Sequence, residues 1–311
     1  MKRILSIDGG GIKGVFPASF LATLEDAIGD NVANYFDLIV GTSTGGIIAL
    51  GLGLGLPAKE ILSFYESEGP KIFKSSMLTK FKSLGTAKYS VTPLRSALYE
   101  TFGNKQLGES RTRLVIPAMN IETGEVHVYK TSHNPDYFRD YKEMAVNVAL
   151  GTAAAPTYFK THVSESGTPI IDGGMWANNP VGVAVVEAIG VLDWPKHDLK
   201  VLSLGCTTTP LNIGLARKLP MGLGYWGFNI TDVFMSGQSS QALGTASILA
   251  GGKKNVIRIN PYMPKRYALD NAKEISSLCG LGKTEASKAY RDLKDTFFKT
   301  HSEPFVPFRS L

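Results

Sequence analysis

Three short glycine-containing segments of this sequence hold groups that could do chemistry. The first is Gly-Thr-Ser-Thr-Gly at residues 41–45, in which Ser43 stands between Gly41 and Gly45. An apolar run precedes it and another follows, which is the strand–turn–helix context that a nucleophile elbow requires. Small flanking residues let the backbone of such a turn pass close to itself and expose the serine oxygen. The pattern predicts that Ser43 is a nucleophile, and a plain glycine turn is the alternative.

The second segment, Gly-Gly-Gly-Ile-Lys-Gly at residues 9–14, fits the G-x-G-x-x-G pattern of dinucleotide loops. That interpretation also requires an acid about 20 residues later, at the end of the second strand. Here the second strand leads into Ser43, and Glu25 and Asp26 lie within the first predicted helix. Amides without side chains could instead converge on a carbonyl oxygen that develops negative charge. Asp8, directly before the loop, either shapes it by accepting amide hydrogen bonds or is a simple turn residue.

The third segment is Asp172 with two glycines after it, at the end of an apolar run. A serine nucleophile needs a base, and sites of α/β proteins form at the carboxyl ends of strands. A free aspartate has a pKa near 3.9, so this base needs partial desolvation or a direct hydrogen bond from the serine. Asp-Gly-Gly alone is more often a turn, and the case for Asp172 depends on the other two segments. None of the histidines lies in a glycine-bearing loop: His127, His133, His162, His197 and His301.

The order of apolar runs and glycine turns predicts an α/β protein with a mainly parallel central sheet covered by helices. Strands are predicted over residues 3–7, 35–40, 113–120, 126–130, 169–171, 201–205 and 255–259. Helices are predicted over residues 15–28, 46–54, 58–69, 93–102, 144–153, 181–189, 232–250 and 283–300. The sequence contains no internal repeat and no low-complexity linker, which favours a single domain over residues 1–311.

Composition narrows the functional classes without selecting one. The 311 residues are 43% hydrophobic and 19% charged, which indicates a globular rather than a disordered chain. A net charge of +6 suits an anionic partner such as a membrane surface or a nucleotide, but no nucleic-acid-binding motif is present. Cys206 and Cys279 share no metal-ligand spacing, so we expect core residues in a reducing cytosol. The first residues lack the apolar stretch of a signal peptide.

The uncharged stretch at residues 38–58 is nearly long enough for a membrane-spanning helix. It contains six glycines and is interrupted by Thr42, Ser43 and Thr44. We therefore predict a buried strand, a turn and a buried helix instead.

Two less regular segments are candidates for covering an active-site cleft. Residues 71–88 carry five lysines and no acid. Four apolar side chains stand among these lysines: Phe73, Met77, Leu78 and Phe81. Residues 207–229 are rich in glycine and proline and contain three aromatic residues: Tyr225, Trp226 and Phe228.

Together and in this order, the three segments resemble the patatin-like phospholipases. The family pattern is Asp-Gly-Gly-Gly-x-Lys/Arg-Gly, then Gly-x-Ser-x-Gly, then Asp-Gly-Gly/Ala, and this chain has it at residues 8–14, 41–45 and 172–174. Residues 35–46, 153–159 and 178–180 also look like the family. The resemblance covers about residues 3–205 and implies a patatin-like sandwich related to the α/β-hydrolases.

The resemblance implies a serine hydrolase that acts on the acyl esters of phospholipids or related lipids. Ser43 would attack the ester carbonyl, and Asp172 would take its proton directly, without a histidine. Water would then hydrolyse the acyl-enzyme formed on Ser43. Neither a metal nor a required cofactor is expected.

The resemblance also implies an oxyanion site around the glycine loop. The amides of Gly10 and Gly11, together with Thr44, would hold the oxyanion. Gly9 and Gly14 would complete the part of the loop that faces the substrate.

Within the family, the N-terminal third looks most similar to bacterial phospholipase effectors of anti-phage defence that a cyclic oligonucleotide switches on. That likeness implies a cyclic dinucleotide activator and a membrane substrate, reached from the cytoplasm by peripheral contact with the inner face of the cell membrane. Residues 71–88 could meet the nucleotide or the membrane, and a solvated lysine face is the alternative. Assembly into a homo-oligomer stays open. Residues 206–311 match no motif and would complete the domain, with a lid or a regulatory part there.

Three other functions are alternatives. A hydrolase of soluble esters or thioesters would use the same two residues on monomeric substrate. A phosphate- or nucleotide-binding module would use residues 9–14 and keep its ligand after Ser43→Ala. A catalytically dead lipid-binding protein is the third, and the presence of both Ser43 and Asp172 gives it no support.

Overall fold

Eight strands form one mixed sheet in the computed structural model, which describes residues 1–74, 85–210, 214, 219–263 and 267–311. The strands are β1 Lys2–Ile7, β2 Leu38–Gly41, β3 Arg113–Asn120, β4 Val126–Lys130, β5 His162–Val163, β6 Pro169–Asp172, β7 Leu199–Leu204 and β8 Val256–Ile259. Their order is β5-β6-β3-β2-β1-β7-β8, and β4 pairs with β3. The strands β1, β2, β3, β7 and β8 are parallel. β4 and β6 run antiparallel to β3, and β5 antiparallel to β6.

Helices cover both faces of this sheet. Those of the described residues are α1 Val15–Ile28, α2 Thr44–Gly53, α3 Ala58–Ile72, α4 Thr92–Phe102, α5 Ala145–Thr152, α6 Gly174–Ala177, α7 Val181–Gly190, α8 Leu223–Leu249 and α9 Ile275–Phe297. One apolar core packs α1 to α5 and α9 against the sheet, and a second packs α7 and α8 against its other face. The predicted α/β class, with a mainly parallel sheet covered by helices, is confirmed.

The apolar sequences of the central strands follow from burial on both faces. In β1, Leu5 and Ile7 belong to one core and Ile4 to the other, because successive side chains of a strand point to opposite faces. Every residue of β2 is buried. A parallel strand between two helical layers therefore shows a continuous apolar run rather than an alternating one.

The predicted starts of two C-terminal helices are wrong. Helix α8 begins at Leu223 rather than at residue 232, and α9 begins at Ile275 rather than at residue 283. Glycines and polar residues give both starts a low helix propensity, which tertiary packing overrides. At Gly282 an added Cβ would lie 2.7 Å from the carbonyl oxygen of Phe16, so this glycine lets α9 approach α1 closely. Strand β5 and helix α6 were not predicted.

Residues 38–58 form strand β2, a tight turn and helix α2, as predicted. All ten residues of α2 are buried. Among the described residues, no helix combines the length and the apolarity that crossing a bilayer requires.

The two segments predicted to cover the cleft fall partly outside the described residues. Residues 75–84 lie outside them, including Met77, Leu78 and Phe81, and so do residues 211–213 and 215–218. The side chains at 223, 224 and 227–229, including Phe228, are not described either. Phe73 is described, and its ring packs against those of Tyr89 and Phe159. The cover over the cleft therefore stays a prediction.

Candidate active site

Ser43 occupies a sharp turn between strand β2 and helix α2. Its backbone has φ 54° and ψ −121°, a region that residues with a Cβ rarely adopt and that stores strain. A Cβ at Gly41 would lie 2.1 Å from the carbonyl oxygen of Gly45, and one at Gly45 would lie 2.3 Å from that of Ile7. The turn therefore requires glycine on both sides of Ser43. Helix α2 begins at Thr44, so the positive end of its dipole lies at Ser43.

The side chain of Ser43 is hydrogen bonded directly to Asp172. The Ser43 hydroxyl donates to Oδ2 of Asp172 at 2.6 Å, and the N–H of Gly174 donates to Oδ1 at 2.6 Å. Asp172 ends strand β6 and is only 5% exposed. Burial raises its pKa to about 6, although the hydrogen bonds from Ser43 and Gly174 act in the opposite direction. The carboxylate is ionised at pH 7 and is a stronger base than a free aspartate.

The backbone of Ser43 is fixed by Thr152, a residue that the sequence did not single out. The N–H of Ser43 donates to Oγ1 of Thr152 at 2.9 Å, and that hydroxyl donates to the carbonyl of Pro117 at 2.6 Å. The amide of Ser43 is therefore occupied and cannot donate to a substrate oxygen. The only sequence signal for Thr152 was its position directly before residues 153–159.

The glycine loop lies against Ser43, but one of its amides is not available. A Cβ at Gly9 would lie 3.3 Å from Cβ of Ser43 and 2.5 Å from Oδ1 of Asn178. The N–H of Gly9 donates to the carbonyl of Asn178 at 2.9 Å, so this amide is not available to a substrate oxygen. Because Gly9 has no side chain, the loop can pass this close to Ser43 and Asn178. Gly10 is equally tight, since a Cβ there would lie 2.5 Å from Cβ of Cys206.

The other two glycines of the loop meet neighbouring elements. Gly11 has φ +57°, and a Cβ there would lie 2.3 Å from the carbonyl oxygen of Leu269. At Gly14 a Cβ would lie 2.1 Å from Oγ1 of Thr44, so this glycine lets the loop pack against the start of α2. The hydroxyl of Thr44 in turn donates to the hydroxyl of Tyr65 at 2.6 Å.

Three backbone amides near Ser43 keep their donor capacity. The amides of Gly10, Gly11 and Thr44 donate to no carbonyl oxygen among the described residues. By contrast, the N–H of Ile12 donates to the carbonyl of Leu269 at 2.8 Å, as that of Gly9 does to Asn178. A nucleotide phosphate would therefore find fewer donors in this loop than the G-x-G-x-x-G pattern indicates.

Asp8 was predicted either to accept hydrogen bonds from the amides of the glycine loop or to be a simple turn residue. In the described residues its carboxylate instead binds an arginine. Its two carboxylate oxygens accept hydrogen bonds from Nη1 and Nη2 of Arg258 at 2.7 and 2.5 Å. The same guanidinium donates to Oγ of Ser203 at 2.8 Å. This buried pair joins the residue before the glycine loop to strand β8. Its two members are 250 residues apart, so no local pattern could have revealed it.

The histidines make other contacts. None of them hydrogen bonds to Ser43 or Asp172 within the described part of the chain. His133 bonds to Thr131 and Glu187, and His301 bonds to Asp30. Cys206 and Cys279 are free and buried, which confirms that they are core residues.

The sequence model of the patatin-like phospholipase family matches residues 5–185 of this chain. The chain belongs to that family, and the family is one of lipid ester hydrolases. The turn at Ser43 and the hydrogen bond from Ser43 to Asp172 both lie within the matched region.

Three curated relatives carry the name cGAMP-activated phospholipase. The one from Pseudomonas aeruginosa is 36% identical over 243 residues, which cover 76% of this chain and 72% of the relative. Those from Vibrio cholerae and Escherichia coli are each 32% identical, over 97% of this chain and 96% and 94% of their own lengths. Among solved structures, VipD from Legionella pneumophila covers 94% of this chain and 67% of its own, at 12% identity. The TM-score of this match is 0.48.

Proposed function

We propose that this chain is a serine phospholipase that cleaves acyl esters of membrane phospholipids, with Ser43 as nucleophile and Asp172 as proton acceptor. The observation that supports this most directly is the 2.6 Å hydrogen bond from the Ser43 hydroxyl to the buried Asp172 carboxylate. A serine hydroxyl is a weak nucleophile until a base takes its proton. The raised pKa of Asp172, about 6, makes this carboxylate a suitable base near neutral pH.

The first half-reaction forms an acyl-enzyme. Oγ of Ser43 attacks the ester carbonyl while its proton passes to Oδ2 of Asp172. The amides of Gly10, Gly11 and Thr44 stabilise the negative charge on the carbonyl oxygen, since they have no carbonyl acceptor within the described residues. Asp172 then returns the proton to the leaving alkoxide as the ester C–O bond breaks.

The second half-reaction releases the fatty acid. Asp172, ionised again, takes a proton from water as the water oxygen attacks the acyl carbon. The tetrahedral intermediate expels Oγ of Ser43, which recovers its proton from Asp172. The hydrogen bond from the Ser43 N–H to Thr152 and that from the Gly174 N–H to Asp172 keep both groups in place through the two steps.

We further infer that a cyclic dinucleotide activates the enzyme and that it meets the inner face of the cell membrane peripherally. The printed names of the three curated relatives support the activator. A net charge of +6 favours approach to an anionic surface. Membrane degradation under the control of a nucleotide signal would serve as defence against phage.

The test is fatty acid release from phospholipid vesicles, with and without a panel of cyclic dinucleotides. Wild type should release fatty acid under at least one condition, while Ser43→Ala and Asp172→Asn should lose this release under all of them. The matched controls are Ser63→Ala and Asp136→Asn, because both side chains are exposed and lie outside the site. Full activity of Asp172→Asn would show that the base is wrong. Cleavage of soluble esters but of no vesicle would show that the substrate is wrong.

A further inference from the structure

A cavity of about 150 Å³ lies between helix α4, the end of helix α5 and residues 159–163. Its volume is well above the roughly 10–15 Å³ that one water molecule needs. The apolar part of its lining includes Leu94, Leu150 and Phe159. The cationic or imidazole groups that line it belong to Arg95, Lys160 and His162. An apolar wall with several nitrogen donors suits a small amphipathic anion.

The cavity shares a segment of chain with the candidate active site. Ala153 and Ala154 line the cavity and directly follow Thr152, whose hydroxyl accepts the N–H of Ser43. The carbonyl of Ala154 accepts the backbone N–H of Asp172 at 3.1 Å. One short stretch of chain therefore contacts both reacting residues and forms part of the cavity.

His162 brings an unpaired nitrogen to the cavity. The residue is 8% exposed, and its Nε2 has no hydrogen-bond partner within the described residues. Burial, together with the positive charges of Arg95 and Lys160, lowers its pKa to about 4, so the imidazole is neutral at pH 7. A buried polar atom without a partner is unfavourable, and most such atoms in folded proteins are paired. A ligand in the cavity could pair this one.

Two cations face the cavity without a balancing acid. Arg95 and Lys160 lie near enough to His162 for their charges to lower its pKa. The lining contains no aspartate or glutamate, and neither cation forms an ion pair with a carboxylate of the described residues. A guanidinium and an ammonium, which here line the same cavity, are the groups that bind phosphate oxygens in proteins.

We propose that this cavity binds the phosphate group of the phospholipid substrate. Arg95 and Lys160 contact the phosphate oxygens, and Nε2–H of His162 donates a third hydrogen bond. The carbons next to the phosphate pack on Leu94 and Leu150. The site rests on the function proposed above and adds a specificity determinant to it, since an ester without a phosphate gains nothing from these contacts.

The experiment compares two substrates in Arg95→Gln and Lys160→Gln. One substrate is a vesicle of phosphatidylcholine and phosphatidylglycerol, and the other is the uncharged ester p-nitrophenyl butyrate. A cyclic dinucleotide is present throughout if wild type requires it. For the vesicle, KM should rise about 10-fold or more in each variant, and kcat should change little. On the uncharged ester, kcat/KM should stay within about twofold of wild type.

Two controls separate this site from general surface charge. Lys59→Gln removes the same charge from an exposed position of α3 and should leave both substrates unaffected. Lys160→Arg keeps the charge and should restore most of the vesicle activity.

The outcomes distinguish this site from the proposed function itself. Equal losses on both substrates, or equal losses in Lys59→Gln, would overturn the headgroup site and leave the phospholipase intact. The vesicle assay is also run with added inorganic phosphate, to test whether phosphate inhibits wild type. If Arg95→Gln keeps the vesicle KM of wild type but loses that inhibition, the cavity is a site for free phosphate only. If wild type cleaves neither substrate, the proposed function fails first.

Discussion

The motif-bearing part of the chain and the part without motifs contribute to the candidate site in different ways. Residues 3–205 supply the groups at its centre, Ser43 and Asp172 among them. Residues 206–311 match no motif, yet they hold the glycine loop from outside. Arg258 binds Asp8, and the carbonyl of Leu269 accepts the N–H of Ile12.

Residues 206–311 also contact the glycine loop indirectly, through Asn178. Oε1 of Gln238 on helix α8 accepts the N–H of Asn178 at 2.9 Å, and the carbonyl of Asn178 accepts the N–H of Gly9. The first part of the chain therefore acts through local backbone conformation, and the second acts through contacts between residues far apart in sequence. Substitutions in the two parts of the chain should therefore distinguish a loss of catalytic groups from a loss of structural support for the glycine loop.

The largest expected effect is on catalysis alone. In Asp172→Asn, kcat for phospholipid should fall about 10³-fold, because no base remains to take the Ser43 proton. Burial already raises the pKa of Asp172 above its unfolded value, so its charge opposes folding at pH 8 and its removal should not lower the free energy of unfolding. Vesicle assays and urea unfolding at pH 8 measure the two quantities. A large loss of stability would contradict the separation of roles.

The next effect should fall on stability. Arg258→Gln leaves the buried Asp8 carboxylate without its partner, and loss of one member of a buried pair costs about 3–5 kcal/mol. Urea unfolding of this variant measures the change. Arg291→Gln, at an exposed position of α9, is the matched control and should stay within about 0.5 kcal/mol of wild type. If both variants unfold alike, residues 206–311 do not support the loop through Arg258.

Lowering the pH should reduce kcat/KM by protonating Asp172. Since only ionised Asp172 accepts the Ser43 proton and its pKa is about 6, kcat/KM should fall as the pH drops below 6. At pH 5 about one molecule in eleven keeps the carboxylate ionised, which predicts roughly a 10-fold loss relative to pH 8. Rates on a soluble uncharged ester across pH 4.5–8 provide the profile. A profile that is flat down to pH 4.5 would argue against this base.

The smallest expected effect probes the indirect contact from helix α8. Gln238→Ala removes the acceptor for the Asn178 N–H, a hydrogen bond worth about 1 kcal/mol, so kcat should fall about fivefold. Gln241→Ala removes an exposed glutamine of the same helix, whose side chain donates to Thr245 on that helix, and should leave kcat unchanged. Equal rates in the two variants would mean that α8 does not position the loop.

The fold could be predicted where burial leaves a simple pattern. Strands β1 and β2 lie between two helical layers, so their apolar runs stand out in the sequence. The starts of α8 and α9 could not be predicted, because weak local propensity there is overcome by packing against other elements. Strand β5 is two residues long and exists only through its pairing with β6.

The candidate site likewise contains residues that could be predicted from local sequence and one residue that could not. Ser43, Asp172 and the glycines were accessible because a strained turn and a close backbone approach require particular small residues at fixed spacing. Thr152 escaped notice, since a threonine at the end of a helix has no distinguishing pattern until Ser43 folds against it.

The sequence by itself determined the family, the class of sheet and the order of the three glycine segments. Each of these can be recognised from short motifs or from the local pattern of apolar residues. Only the tertiary structure decided which amides stay available and which group holds Asp8. It also decided that Asp172 is buried enough for its pKa to reach about 6. Hydrogen-bond partners and desolvation depend on atoms brought together from distant parts of the chain, and no short stretch of sequence records them.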